Sequence, residues 1–127
     1  MASGMTEIAK ALLQFWNSFG LPAYPERTVP DDAQLPYITY ELKRPSWRGQ
    51  VPYTAQVWFR DTSLVGITAK VDAISQAIGE GIRLPLDGGG CVYIFKEDSF
   101  VQMRPGSEEQ GSDIKAAYLS MIMHAIA

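Results

Sequence analysis

The chain has one cysteine, Cys91, and one histidine, His124, among its 127 residues. A lone cysteine makes no internal disulfide, which fits a reducing compartment. A zinc site built from His and Cys lacks ligands, and a His-based triad has a single candidate base. Apolar runs are only a few residues long, far short of the roughly 20 that cross a bilayer, so no membrane segment is expected. The N-terminus lacks a basic region followed by an apolar one, so no secretory leader is expected either. Positive charge is also short: 11 Lys and Arg stand against 14 Asp and Glu, a net charge of −3. That is not the balance of a general nucleic-acid binder.

What is present suits one globular domain over residues 5–127, with Met1 to Gly4 as a frayed, flexible end. The chain is 46% hydrophobic and 20% charged, which argues against disorder. Ile8, Leu12, Phe15, Trp16 and Phe19 fall at helical spacing behind Thr6, a suitable N-cap, and Gly20 ends the pattern. A helix is expected over residues 5–19. Pro22, Pro25 and Pro30 make 20–35 an extended connector. LPYITYEL (35–42) alternates like a strand, as does Tyr53–Arg60. The two read as an antiparallel hairpin whose long tip spans 43–52.

Asp61-Thr62-Ser63 supplies caps for a second helix over 63–79, with a stripe of Leu64, Ile67, Val71, Ile74 and Ile78. Residues 84–90 read as a turn region. Strands at 91–97 and 100–104, joined by a tight turn at Asp98-Ser99, read as a short hairpin. An exposed acidic loop follows at 105–113. Residues 114–126 fit a helix by composition and a strand by alternation, and periodicity does not choose between them. The expected fold is α+β, a mainly antiparallel sheet packed against two α-helices.

Few groups here invite chemistry. Gly88–Gly90 lacks the following GK[ST] of a phosphate loop and reads as a permissive turn. Cys91 reads as a buried, inert thiol. His124, in an apolar segment, reads as a core-edge or surface residue. The acid pairs Asp31-Asp32 and Glu97-Asp98 sit in turn sequences, where Asp stabilises local backbone geometry. No catalytic residue, metal site or cofactor is expected, and the chain is not read as an enzyme. Lys43, Arg44 and Arg48 interleave with Trp47 at the hairpin tip, an interface composition. Protein contact leads there, with nucleic-acid contact and a bare solvated tip left open. Glu108, Glu109 and Asp113 supply the opposite sign, and such segments can meet head-to-tail between copies.

Taken together, the N-terminal amphipathic helix, the proline-rich connector, LPYITYEL, YTAQVWFR running into a capped helix, and the closing SDIKAAYLSMIMHAI carry a resemblance. Over roughly residues 5–126 the chain resembles the tail-terminator, or tail-completion, proteins of tailed bacteriophages and prophages, within the head–tail joining group. The resemblance implies a strand for the last segment, giving the order α-β-β-α-β-β-β. It also implies a homo-oligomeric ring, a hexamer, at the head-proximal end of the tail tube in the virion, assembled in the bacterial host cytoplasm. Such a ring stops tube growth and gives the head connector, or neck protein, a docking face. DNA passes its lumen without tight or specific binding. By position, Lys43, Arg44, Trp47, Arg48, Glu108 and Glu109 are the subunit or partner contacts. The alternatives are another neck or minor capsid adaptor, or a small nucleic-acid-binding module.

Overall fold

A computed structural model describes residues 4–43, 49–105 and 114–126. Helix α1 (Met5–Asn17) is followed by strands β1 (Ala23–Pro25), β2 (Tyr37–Tyr40) and β3 (Gln50–Arg60). Helix α2 (Val65–Ile78) leads to β4 (Ile82–Pro85), β5 (Cys91–Pro105) and β6 (Ile114–Ile126). The six strands form one sheet in the order β1-β2-β3-β6-β5-β4. The fold is α+β, as expected, but the sheet is mixed. β1 runs parallel to β2, and every other pairing is antiparallel.

β3, β6 and β5 are the long central strands, and their alternation sets the two faces. Tyr53, Ala55 and Val57 of β3 meet Met121, Leu119 and Ala117 of β6. These side chains are buried beneath the helices. Ile8, Leu12, Phe15 and Trp16 of α1 and Ile67, Val71, Ile74 and Ile78 of α2 close the same core. Trp16 is fully buried and stacks on Tyr40 and Tyr53. Its indole N–H donates to the Tyr53 hydroxyl at 3.1 Å. Burial pushes the Tyr53 phenol well above the ordinary tyrosine range. Among the described residues, no helix is long and apolar enough to cross a membrane.

Several expectations need correction. Gly4, not Thr6, is the N-cap of α1, and its N–H donates to the Glu7 carboxylate at 3.0 Å. The 20–35 connector contains β1. Prolines tolerate this place because β1 is an edge strand, where an absent N–H faces away from the ladder. Ile38 N–H donates to the Pro22 carbonyl at 2.9 Å, and Glu26 N–H to the Tyr40 carbonyl at 2.8 Å, fixing both ends of β1. β3 begins at Gln50, ahead of the expected Tyr53. Strand β4 (Ile82–Pro85) pairs with β5 and takes in Leu84 and Pro85, the start of the segment expected as a turn.

The hairpin expected within 91–104 does not exist. β5 is one strand with an irregularity between Lys96 and Val101. Lys96 pairs with Met121 and Val101 with Leu119, so residues 97–100 face Ser120 alone. Asp98-Ser99 has turn chemistry, but the long β6 partner holds both halves of β5 in one ladder and converts the turn into a bulge. β6 itself is a strand throughout. The resulting order is α-β-β-β-α-β-β-β.

One backbone approach is tight. Gly81 has φ +150°, and a Cβ there would lie 2.7 Å from Cε1 of Phe95. Gly81→Ala adds both strain and overlap, and costs about 1–3 kcal/mol. A lowered thermal midpoint with an unchanged fold is the expected reading; an unchanged midpoint would refute the contact.

Candidate interaction surface

Lys43 is the one residue of the expected contact set within the described part of the chain. Arg44, Trp47, Arg48, Glu108 and Glu109 lie outside the described residues. Lys43 Nζ sits 3.2 Å from the Glu41 carboxylate and donates to the Pro52 carbonyl at 2.6 Å. Glu41 in turn accepts from the Thr54 N–H and hydroxyl, each at 2.8 Å. These bonds continue the β2–β3 ladder past the end of β2 and fix where the connection to β3 begins.

The sheet topology separates the described residues that flank the two segments of opposite charge. Gln50, which follows residues 44–48 closely in sequence, pairs with His124. Pro105 and Ile114, the described residues on either side of 106–113, pair with Lys115 and Arg60. These ends are separated by most of β6, about 33 Å at the usual strand rise. Exposed apolar side chains accompany both. Leu42 and Ile126 are at the first end, and Leu64, Val65 and Met103 are at the second. A depression of about 230 Å³ between Leu64, Met103, Arg104 and Lys115 marks the second end.

Cys91 is buried and pairs in register with Ile126, while His124 pairs with Tyr93. The Nδ1 atom of His124 is buried without a hydrogen-bond partner. Gly88, Gly89 and Gly90 all have positive φ and close a turn in which Leu86 N–H donates to the Gly90 carbonyl at 3.1 Å. This is the permissive-turn reading, since glycine enters that region without steric cost. Ala33 N–H donates to the Pro30 carbonyl, so Asp31-Asp32 lies in a turn. Glu97 and Asp98 lie exposed in the bulge of β5. Among the described residues, no group of three or more His, Cys, Asp or Glu side chains is placed to hold a metal.

The face of the sheet opposite the helices was not singled out by sequence. It carries Tyr24, Tyr37, Trp58, Tyr118, Tyr93 and Phe95, all half-buried. Trp58 is anchored by its indole N–H, which donates to Thr39 Oγ1 at 3.0 Å. The Thr39 hydroxyl in turn donates to Gln56 Oε1 at 2.7 Å. Trp58 and Tyr118 have ring centroids 6.3 Å apart, and the Arg104 guanidinium lies 4.4 Å from the centre of the Tyr118 ring. The available signal was parity. Once Tyr53, Ala55 and Val57 are taken as core, Trp58 must point to the other side.

A scan against protein-family models finds no match, and a search of curated proteins finds none either.

Proposed function

We propose that this chain is a structural assembly protein of a tailed bacteriophage or prophage, a tail terminator whose copies close into a hexameric ring. The ring caps the head-proximal end of the tail tube, stops its polymerisation and offers a docking face to the head connector. The observation that supports this reading is the segregation of charge in the sequence, together with the long strands that separate the described residues flanking each charged segment. Residues 43–48 contain Lys43, Arg44 and Arg48 and no acid, and residues 106–113 contain Glu108, Glu109 and Asp113 and no base. A subunit with opposite charges at opposite ends favours head-to-tail contact, and head-to-tail contacts close into rings when the rotation permits. The apolar side chains exposed at both ends add area that charge alone does not supply.

The mechanism is geometric. One ring face reproduces the contact that successive tube layers make, and the other does not, so growth ends there. The test is light scattering with negative-stain imaging, on the protein alone and with assembled tail tubes. Six-fold rings, or density at one tube end, are the expected result. A monomer that never binds a tube would overturn the reading.

A further inference from the structure

We propose that the outer edge of β5 over residues 101–104 docks the same edge of a second copy, joining two subunits about a twofold axis into one continuous sheet. The contact uses no residue of 43–48 or 106–113, so it does not rest on the ring contact proposed above.

The edges of the sheet differ in how they are guarded. β1 closes one side. The Ala23 N–H on its outer side donates to the Asn17 side chain at 3.1 Å, and Pro25 has no N–H. The Pro25 carbonyl accepts from the Thr28 N–H at 3.1 Å and from its hydroxyl at 2.7 Å. β4 closes the other side, with exposed Arg83 within it and Pro85 at its end. Occupied donors, prolines and edge charges all discourage strand addition. However, β4 pairs only with Cys91–Ile94. Past it, Val101 to Arg104 pair with β6 on one side, and among the described residues no strand lies on the other. In an antiparallel ladder every second residue turns both its N–H and its C=O away from the partner strand. Residues 101–104 therefore present outward donors and acceptors, and Gln102, Met103 and Arg104 are exposed.

The occupant follows from self-complementarity. An antiparallel edge matches its own copy, because the same backbone groups meet in reverse order. A twofold axis normal to the sheet keeps the helices of both copies on one side, so residues that oppose each other must share a face. Met103 is in register with Ala117, on the helix side, and Gln102 with Tyr118, on the other. An axis through Met103 sets Met103 against its copy, and Gln102 against Arg104 of the second copy. Both pairs suit. Met103 and Leu64, 36% and 48% exposed, flank a depression of about 230 Å³, so apolar surface meets apolar surface. Arg104 already donates to Gln102 Oε1 at 3.1 Å within its own chain, and the same pairing forms across the axis. The Arg104 guanidinium lies 4.4 Å from the centre of the Tyr118 ring, over its own sheet, which keeps the two arginines apart. The bulge before Val101 and the proline at 105 confine the pairing to this short register.

The experiment is sedimentation velocity on the full chain over a concentration series. The contact is small, so a dimer with Kd on the order of 10–100 μM is expected, and the mass rises toward twice that of one chain. Met103→Lys sets two cations against each other at the axis and weakens association at least about tenfold. Met103 is exposed, so the thermal midpoint of that variant stays unchanged. Met103→Cys places two thiols opposite each other, within the Cα separation of about 4.4–6.8 Å that a disulfide spans, and cross-links under mild oxidation. Gln102→Cys does not, because in this register its copy lies about 8 Å away. The parent chain, whose Cys91 is buried, gives no cross-link. A chain that stays monomeric through the series overturns the proposal. So does a dimer that Met103→Lys leaves intact and Met103→Cys fails to cross-link. Association lost on charge reversal within 43–48 but unmoved by Met103→Lys belongs to the ring contact, and overturns it too.

Discussion

Trp16→Ala is expected to destabilise the chain by about 3–5 kcal/mol, the usual cost of removing a large buried aromatic side chain. Domains of this kind have only about 5–15 kcal/mol in total, so the variant sits near the edge of folding. Three losses combine. The indole is fully buried between α1 and the sheet, so its removal leaves a cavity. Its contacts with Tyr40, Tyr53 and the edge of Phe15 vanish with it. The Tyr53 hydroxyl loses its indole donor in a site that water does not reach. Trp16→Phe separates these effects. It keeps an aromatic ring and removes the N–H, and is expected to cost about 1–3 kcal/mol. Denaturant titration of both variants measures the difference. A loss below about 1 kcal/mol for Trp16→Ala would mean that α1 does not dock where the structure puts it.

Both helices and the alternation of β3 are legible because they depend on local periodicity. Ile8, Leu12, Phe15 and Trp16 repeat at helical spacing, and the same four residues are the buried face of α1. Tyr53, Ala55 and Val57 alternate, and all three are buried. The features missed depend on partners distant in sequence. β1 and β4 are three and four residues long, and each ends in proline. Local propensity in such segments is low, and pairing with β2 and β5 defines them as strands. Asp98-Ser99 was misread for the same reason: β6 decides that the chain continues there.

β6 shows how composition misleads. Its alanines favour helix in isolation. In the sheet, Ala116 lies between Trp58 on β3 and Arg104 on β5. A small residue there leaves room for two large neighbours on the same face, and Ala116 is buried beneath them. Space, not backbone preference, accounts for it. The candidate surface was partly legible on similar grounds. Charge runs are visible in a sequence, so the basic and acidic segments were found. The aromatic face draws one or two residues from each of β1, β2, β3, β5 and β6, and only strand order and register bring them together.

Reversing one charged segment is expected to abolish ring assembly, and reversing both is expected to restore it. In the proposed head-to-tail arrangement, residues 43–48 of one copy would meet residues 106–113 of the next. Lys43→Glu/Arg44→Glu/Arg48→Glu then sets like charges against each other at every interface. Like-charge juxtaposition costs several kcal/mol, and each 1.4 kcal/mol is about tenfold in affinity. Glu108→Lys/Glu109→Lys has the same effect from the other side. Raised salt is expected to weaken the proposed contact as well, since exposed charges are screened over about 10 Å at 0.1 M. Combining the two sets in one chain recreates opposite charges and restores the ring. Mixing the two singly reversed proteins gives a stronger test. A basic-reversed chain accepts an acidic-reversed neighbour on both sides, so the two alternate around the ring. Alternation closes only when the number of subunits is even. A six-membered ring therefore forms from the equal mixture, while an odd-membered ring leaves one repulsive contact and does not close. Mass measurement of the two variants, alone and mixed, reads this directly. Assembly that survives either reversal, or that fails to return in the doubly reversed chain, would show that these segments do not meet.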